Sequence, residues 1–194
     1  MTKKKYDFLI LGASGMQGRI VTRDLIENGF SVFMADLYKG GSEENLKRSK
    51  NTAFEFGDVR SIDSTINLIQ KSGAKIVVNC IEGDWNLNIL KSCIKANANC
   101  LDLGSEIWMT KKQISMNNLL KEKGLISITG AGSVPGIGNV MLRYASEKFD
   151  KIDTIEVGFA WNSNIKKFVV PFSIQSIIGE FTDKASILKN NRWE

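Results

Sequence analysis

The sequence predicts an α/β protein built on a doubly wound parallel sheet. Short apolar runs alternate with amphipathic stretches from the amino terminus to about residue 129. This order is typical of a parallel sheet, because neighbouring parallel strands need a connection that crosses one face of the sheet. The runs FLIL and IVVNCI are apolar at consecutive positions, which indicates strands that are covered on both faces.

The individual elements follow from the same alternation of apolar runs and helical spacing. The predicted strands cover residues 8–11, 32–36, 53–56, 76–81, 100–103 and 125–129. The predicted helices that connect them cover residues 18–28, 43–50, 62–72, 85–98 and 111–123.

The sequence changes in character after Gly130. GAGSVPGIGN is a glycine-rich loop, and Pro135 is placed to open a helix that runs to about residue 148. KIDTIEVGFAW then alternates like a strand, and PFSIQSIIGEFTD is typical of a short helix capped by Ser173. SILKNNRWE predicts a strand that enters a turn at Asn190 and Asn191. These elements predict the incomplete start of an α+β domain.

Composition narrows the classes of function. The 194 residues contain no histidine, which removes the commonest general base and metal ligand. The three cysteines have no paired spacing and predict neither a disulfide framework nor a zinc site. No apolar run approaches the roughly 20 residues of a membrane span. The lysines behind the net charge of +5 are scattered, which indicates no nucleic-acid partner. We expect a cytoplasmic protein without a membrane partner or bound metal.

Three glycines stand at G-x-x-G-x-x-G spacing between the first strand and the first helix. Gly12 permits the sharp exit from the strand, Gly15 the close approach of a pyrophosphate, and Gly18 tight packing of helix on sheet. The start of this helix, around residues Ser14 to Gln17, is expected to present free backbone amides to the phosphates. The spacing therefore predicts a dinucleotide site, and the other residues expected to line it here are Ser14, Met16 and Gln17.

The second strand ends in Asp36, whose carboxylate is expected to accept both ribose hydroxyls of adenosine and to repel a 2′-phosphate. This favours NAD over NADP, although Lys39 and Arg48 lie close enough in sequence to soften the repulsion. After the third strand, Asp58 is expected to meet the adenine amino group and Val59 the face of the base; Asp58 as a simple helix cap remains an alternative.

The fourth strand is expected to reach the switch point of the sheet, beside the nicotinamide ribose. The residues at its end are Asn79, Cys80 and Ile81. Cys80 is also explained as an ordinary buried strand residue, because nothing nearby in sequence lowers the pKa of its thiol.

Four segments follow one another along the chain: VVNCI, KSCIKANANCLDLGSE, GAGSVPGIGNVMLRYA and VPFSIQSIIGEFTDKASILKNNRWE. They resemble the successive motifs of the saccharopine dehydrogenase-like family, which includes saccharopine reductases, lysine dehydrogenases and carboxynorspermidine dehydrogenases. The resemblance covers nearly the whole chain. The positions that carry it are Asn79, Cys93, Ile94, Asp102, Gly132, Pro135, Gly136 and Asn139.

This resemblance implies an NAD(P)-binding Rossmann domain over residues 1–135 and the beginning of a substrate and dimerisation domain over residues 136–194. It also implies hydride transfer between a nicotinamide and the carbon that bears nitrogen in an amino acid or polyamine. Family members are longer, so we expect this chain to be the N-terminal part of an enzyme that forms a homodimer.

The resemblance also points to residues on the substrate side. The loop that contains Gly132, Pro135, Gly136 and Asn139 would bring backbone amides near the substrate or nicotinamide. Asp102, at the end of the fifth strand, is the best candidate for handling amine protons, with a capping role as the alternative. The sequence departs from the family at Glu82 and Asp84, where apolar or proline residues are common.

Two other interpretations stay open. Tyr144 and Lys148 have the spacing of the active-site pair of the short-chain dehydrogenases, and Ser133 lies upstream of them. A dinucleotide-sensing module of the kind that regulates potassium transporters would also have a glycine turn followed by an acidic residue, and it would use the nucleotide as a conformational ligand.

Overall fold

The computed structural model describes residues 5–155, 158, 166, 174–182, 188–189 and 192–193. The chain divides into two compact units, one that ends at Asp150 and one that begins at Lys151. This division falls later in the chain than the domain boundary predicted after residue 135. The helix predicted to open the second domain therefore belongs to the first compact unit.

The first unit alternates strands and helices as the sequence predicts. Its strands are β1 (Phe8–Leu11), β2 (Val32–Asp36), β3 (Thr52–Phe56), β4 (Ile76–Asn79), β5 (Asn99–Asp102) and β6 (Ser127–Ile128). Its α-helices are α1 (Met16–Glu27), α2 (Glu43–Arg48), α3 (Ile62–Ser72), α4 (Asn86–Ala96), α5 (Ile107–Ile114), α6 (Asn117–Glu122) and α7 (Ile137–Ser146), with a 3-10 turn at Gly83–Trp85.

The six strands form one parallel sheet in the order β3-β2-β1-β4-β5-β6. This is the doubly wound order. Strands β2 and β3 are added on one side of β1 and strands β4 to β6 on the other, so the switch point lies between β1 and β4. The register pairs Leu11 with both Ala35 and Asn79, and Asn79 with Asp102. The carboxyl ends of the central strands therefore meet at one edge, and the predicted fold class is confirmed.

Both faces of the sheet are covered, as the uninterrupted apolar strands predict. Alternate residues of β1 point to opposite faces: Leu9 and Leu11 pack in one buried cluster, and Ile10 packs in another. The first cluster also contains residues of α3 and α4, and helix α1 packs against the second. Among the described residues, no helix is long and apolar enough to cross a bilayer.

The predicted helix over residues 111–123 is two helices, α5 and α6, and this prediction was wrong. The Ser115 hydroxyl donates to the Lys112 carbonyl at 2.7 Å, and Met116 donates its amide to Gln113 at 3.0 Å. Local bonds of this kind compete with the next helical turn. The chain therefore restarts its helix at Asn117.

The second unit has three described elements: α8 (Ile174–Thr182), β7 (Leu188–Lys189) and β8 (Arg192–Trp193). The predicted helix in this region is confirmed, and β7 and β8 pair antiparallel, as expected for the predicted turn between them. Of the strand predicted over KIDTIEVGFAW, residues 151–155 and 158 are described and are not in a strand. The other residues of this segment and the cap at Ser173 lie outside the described residues.

Two glycines of the opening turn are required by close packing. Gly12 has a φ of 77°, which an L-residue with a side chain rarely adopts. A Cβ atom at Gly18 would lie 2.0 Å from the Gly12 carbonyl oxygen, much closer than two such atoms can approach. The backbone of α1 therefore rests directly on the turn that follows β1.

The first prediction concerns this contact. Gly18→Ala is expected to lower the free energy of unfolding by about 2 kcal/mol, because the added methyl group has to push α1 away from a rigid backbone. Chemical denaturation measures the change. Gly40→Ala is the matched control, since no atom lies within 4 Å of the place that its methyl group would take, and its stability should stay unchanged. Equal stability of the two variants would contradict the packing argument.

Candidate dinucleotide-binding site

The amino terminus of α1 lies at the carboxyl edge of the sheet. No side chain caps this helix, and no hydrogen-bond acceptor within the described part of the chain meets the amides of Met16, Gln17 and Gly18. Free amides at the start of a helix, together with the positive end of the helix dipole, form a site for an anionic group. The turn can therefore hold a diphosphate.

Gly15 is not crowded by the protein in the way that Gly12 and Gly18 are. The nearest atom to a Cβ at Gly15 would be the Gly12 carbonyl oxygen, at 3.3 Å, so the protein itself nearly tolerates a methyl group there. Gly15 is exposed and precedes Met16, the first residue of α1. A side chain here would cover the free amides, which fits the predicted role of Gly15 in the approach of a pyrophosphate.

Asp36 lies at the end of β2, beside the glycine turn. Its carboxylate accepts hydrogen bonds from the Ser14 amide at 2.9 Å and from the Tyr38 amide at 3.3 Å. The Ser14 hydroxyl bonds to the Tyr38 carbonyl and lies 2.8 Å from the Ser42 hydroxyl. Ser14 therefore joins the glycine turn to the loop after β2. Its amide is used within the protein, which corrects the prediction that this amide faces a phosphate.

The turn after β3 is organised by an ion pair. Asp58 accepts hydrogen bonds from Arg60, including Nη2 at 2.6 Å and the backbone amide at 3.0 Å, and these bonds lower the pKa of Asp58. Val59 is 7% exposed and packs in the core, so its side chain offers little surface to the face of adenine, and this contact stays a prediction. Ser61, and not Asp58, caps α3 by accepting from the Ser64 amide at 3.2 Å.

The end of β4 is fixed by buried amides. The Asn79 side chain donates to Asn86 at 2.6 Å and accepts from the Ile81 amide at 2.9 Å, and Asn86 donates to the Gly104 carbonyl at 3.3 Å. Burial raises the pKa of the Cys80 thiol to about 12. Cys80 is therefore a neutral thiol at physiological pH, and the prediction that it is an ordinary strand residue fits this environment.

Asp102 is 1% exposed, and its carboxylate accepts hydrogen bonds from four groups. Its Oδ1 accepts from the amides of Gly104 at 2.9 Å and Gly130 at 3.0 Å and from the Thr129 hydroxyl at 3.2 Å. Its Oδ2 accepts from the Gln113 amide at 2.7 Å. The carboxylate thus joins β5, α5 and the loop after β6. These contacts favour a structural role, while a role in handling amine protons stays a prediction.

Three of the residues predicted on the substrate side, Gly132, Pro135 and Gly136, lie in a closed loop before α7, and Asn139 lies in the first turn of α7. Gly132 donates its amide to the Pro135 carbonyl at 3.1 Å, and the Gly136 amide donates to the Asn139 side chain at 2.9 Å. A Cβ at Gly136 would lie 1.9 Å from the Gly132 carbonyl oxygen, and one at Gly104 would lie 2.5 Å from the Pro135 ring. The loop is therefore packed against the end of β5.

Tyr144 and Lys148 lie beside each other on α7. Tyr144 is 65% exposed, and the Lys148 Nζ lies 4.9 Å from the centre of its ring. Neither side chain makes a hydrogen bond with a described residue of the glycine turn, and a short-chain dehydrogenase role for this pair stays a prediction.

Several residues of these networks are not apparent from the sequence. Ser42 stands where a helix cap is expected, but its hydroxyl meets Ser14 and makes no cap bond. Asn86, Gln113 and Thr129 belong to no motif and are found only through their partners. Within the described ranges, no group of histidine, cysteine, aspartate and glutamate residues could hold a metal ion.

The fold and the free amides define a dinucleotide-binding α/β domain. A family model described as the saccharopine dehydrogenase NADP binding domain matches residues 8–128. The chain belongs to this family. The resemblance inferred from the motifs is thereby confirmed, and a nicotinamide dinucleotide is the class of cofactor that the domain binds.

Two curated relatives agree with this assignment. The carboxynorspermidine synthase of Vibrio alginolyticus is 26% identical over 80% of this chain and 40% of its own length. The carboxyaminopropylagmatine dehydrogenase of a Synechocystis species is 23% identical over 71% of this chain and 36% of its own length. The chain thus spans well under half the length of these curated relatives.

The solved structure of an apo saccharopine dehydrogenase (L-Glu forming) from Saccharomyces cerevisiae has the same fold. It superposes with a TM-score of 0.61 at 17% identity, over 73% of this chain and 31% of that chain.

The second prediction separates two roles for Asp102. Asp102→Ala is expected to lower the free energy of unfolding by about 2–4 kcal/mol, because it leaves several buried donors without an acceptor. Asp102→Asn should cost much less, since its amide oxygen can keep the Gly104 and Gly130 amides and the Gln113 amide can turn to accept. Thermal unfolding of both variants measures this difference.

Turnover of the complete enzyme tests the other role. A structural Asp102 predicts that the folded Asp102→Asn variant keeps most of its activity. A well-folded Asn variant that loses turnover altogether would instead show that the carboxylate exchanges protons with the substrate.

Proposed function

We propose that this chain is the cofactor-binding part of an NAD(P)-dependent oxidoreductase of the saccharopine dehydrogenase type. The reaction would transfer hydride at a carbon–nitrogen bond of an amino acid or polyamine. The observation that carries the proposal is the set of free amides at Met16, Gln17 and Gly18, which lies at the switch point of a doubly wound sheet in a chain of this family. Such an arrangement fits the diphosphate of a dinucleotide.

The ribose end of the site supports NAD as the preferred cofactor. A carboxylate has room for about four hydrogen bonds, and Asp36 accepts two of them from backbone amides, which leaves room for ribose hydroxyls. Its charge would repel a 2′-phosphate. Arg48 is bound to Glu44 at 2.5 Å and to Glu27 at 3.4 Å, so this arginine is already neutralised.

The residues around the switch point would orient the reactive end of the cofactor. When bound, a nicotinamide supplies or accepts the hydride. The Asn79 and Asn86 amides hold the β4 edge in place, and Cys80 contributes a small neutral side chain beside it. The loop from Gly132 to Gly136 is closed by its own hydrogen bonds and would form one wall of the substrate side without a bulky side chain.

The class of substrate is a proposal from the family and the relatives. Two similar proteins are named as a carboxynorspermidine synthase and a carboxyaminopropylagmatine dehydrogenase, and both names describe carboxylated amines. We propose a small amino acid or polyamine as the substrate partner. A cytoplasmic homodimer, with no nucleic-acid or membrane partner, is the setting that we propose with it.

The third prediction tests cofactor binding and reaction together. Titration of the protein into NADH is expected to change the nicotinamide fluorescence, with a dissociation constant about ten-fold lower for NADH than for NADPH because of the Asp36 charge. Asp36→Asn keeps an acceptor for the Ser14 amide but loses the charge, and it should remove most of this preference. Saccharopine, lysine and related amines are then offered to the complete enzyme with oxidised cofactor, and we expect NADH to form.

Two outcomes would contradict parts of this proposal. Failure of the wild-type protein to bind NADH or NADPH would remove the oxidoreductase assignment. Tight binding that is indifferent to every amine, without turnover, would support a dinucleotide sensor in its place.

The fourth prediction addresses the short-chain dehydrogenase alternative. Tyr144→Phe is expected to leave turnover of the complete enzyme unchanged, because the Tyr144 side chain is exposed and its hydroxyl makes no hydrogen bond with a described residue of the site. A steady-state assay against wild type measures the effect. Loss of turnover with unchanged NADH affinity would favour the Tyr144 and Lys148 pair.

A further inference from the structure

Two planar side chains are exposed after the paired ends of β2 and β3, on the β3 side of the glycine turn. Strands β2 and β3 end together, with Asp36 paired to Phe56 and the Gly57 amide donating to the Asp36 carbonyl at 3.1 Å. Tyr38 follows the end of β2 and is 74% exposed, and Arg60 follows the end of β3 with a side chain that is 61% exposed. Both residues therefore rise from the same edge of the sheet.

The guanidinium of Arg60 is held in a fixed orientation. Its Nε lies 2.9 Å from both oxygens of Asp58, its Nη2 lies 2.6 Å from Oδ2, and its own backbone amide donates to Oδ1 at 3.0 Å. Several bonds between residues only two positions apart close a small ring. An exposed ion pair of this kind adds little stability, but it restricts the guanidinium to one orientation while 61% of the side chain stays exposed.

Tyr38 is fixed through its backbone. Its amide donates to Asp36 and its carbonyl accepts from the Ser14 hydroxyl, so the phenol leaves the chain at a defined position beside the glycine turn. The hydrogen bonds from Arg60 to Asp58 and the charge of that carboxylate raise the pKa of Arg60, so the guanidinium stays positively charged.

We propose that the Tyr38 ring and the Arg60 guanidinium form a stacking platform for the adenine base, with Asp58 as the residue that positions Arg60. Aromatic rings and guanidinium planes both stack on nucleobases without reading their edges. The inference rests on the proposed function, because a dinucleotide whose phosphates lie on α1 and whose ribose meets Asp36 has its base on this side of the sheet.

The platform replaces the contacts that the sequence suggests for adenine. Val59 is packed in the core, so its side chain offers little surface to the base. Both oxygens of Asp58 are engaged by Arg60, so its carboxylate shapes the site indirectly. Tyr38 and Arg60 are flat, exposed groups that follow the ends of β2 and β3. The exposed ring of Phe56, the last residue of β3, packs edge-to-face against Phe54.

The fifth prediction uses ligands that carry or lack adenine. In fluorescence titrations of the whole chain, Tyr38→Ala and Arg60→Lys are each expected to raise the dissociation constant of NADH about ten-fold, the usual size of a lost stacking contact. ADP-ribose, measured by displacement of NADH, should weaken equally. Reduced nicotinamide mononucleotide, which lacks adenosine, should bind both variants as it binds wild type. Tyr38→Phe keeps the ring and should restore NADH binding.

Arg60→Lys separates stacking from charge, since lysine keeps the positive charge but not the plane. Arg143→Gln is the matched control, because Arg143 is also exposed and ion-paired, with Glu147 at 3.1 Å, and it should leave every dissociation constant unchanged. Thermal unfolding verifies that all variants fold.

Two results would overturn the platform. One is unchanged NADH affinity in folded Tyr38→Ala or folded Arg60→Lys, and the other is equal weakening of reduced nicotinamide mononucleotide. If wild type binds no dinucleotide at all, the proposed function fails first and takes this inference with it. Dinucleotide binding by the wild-type protein therefore distinguishes failure of the platform from failure of the proposed function.

Discussion

The contact between the backbone of α1 and the turn after β1 is the constraint on which the rest of the site depends. A hydrogen atom is the only side chain that fits at Gly18, where a Cβ would lie 2.0 Å from the Gly12 carbonyl oxygen. This approach places the free amides of α1 at the end of the central strand. It also brings Ser14 within reach of Asp36, so the phosphate and ribose parts of the site are set by one packing contact.

The polar residues of the carboxyl edge mostly hold the protein in shape. The Asn79 and Asn86 pair orders the loop after β4, and Asp102 ties together β5, α5 and the loop before α7. Because buried polar groups are costly without partners, such networks fix one arrangement of the backbone. The groups that remain for a ligand are the α1 amides, the open side of Asp36 and the flat side chains near β3.

The sequence predicted the class of fold and the class of ligand well. Alternating apolar and amphipathic runs located the six strands, and the glycine spacing located the turn, because both patterns reflect local rules of backbone geometry. The same reasoning predicted one long helix where the structure has α5 and α6, and it assigned Val59 to adenine although Val59 is in the core. The break between α5 and α6 comes with the local bonds of Ser115 and Met116, and the burial of Val59 depends on which face it presents. A short sequence pattern near a turn determines neither.

What the sequence by itself determined is therefore the order of elements, the crossing point of the sheet and the glycine turn that suits a dinucleotide. Tertiary structure decided the partners of the individual side chains. Asp102 meets Gln113, Thr129 and Gly130, and Ser14 meets Asp36 and Ser42, across separations of 11 to 28 residues. Periodicity describes neighbours on one element, whereas these bonds form only when strands pair and bring distant loops to the same edge.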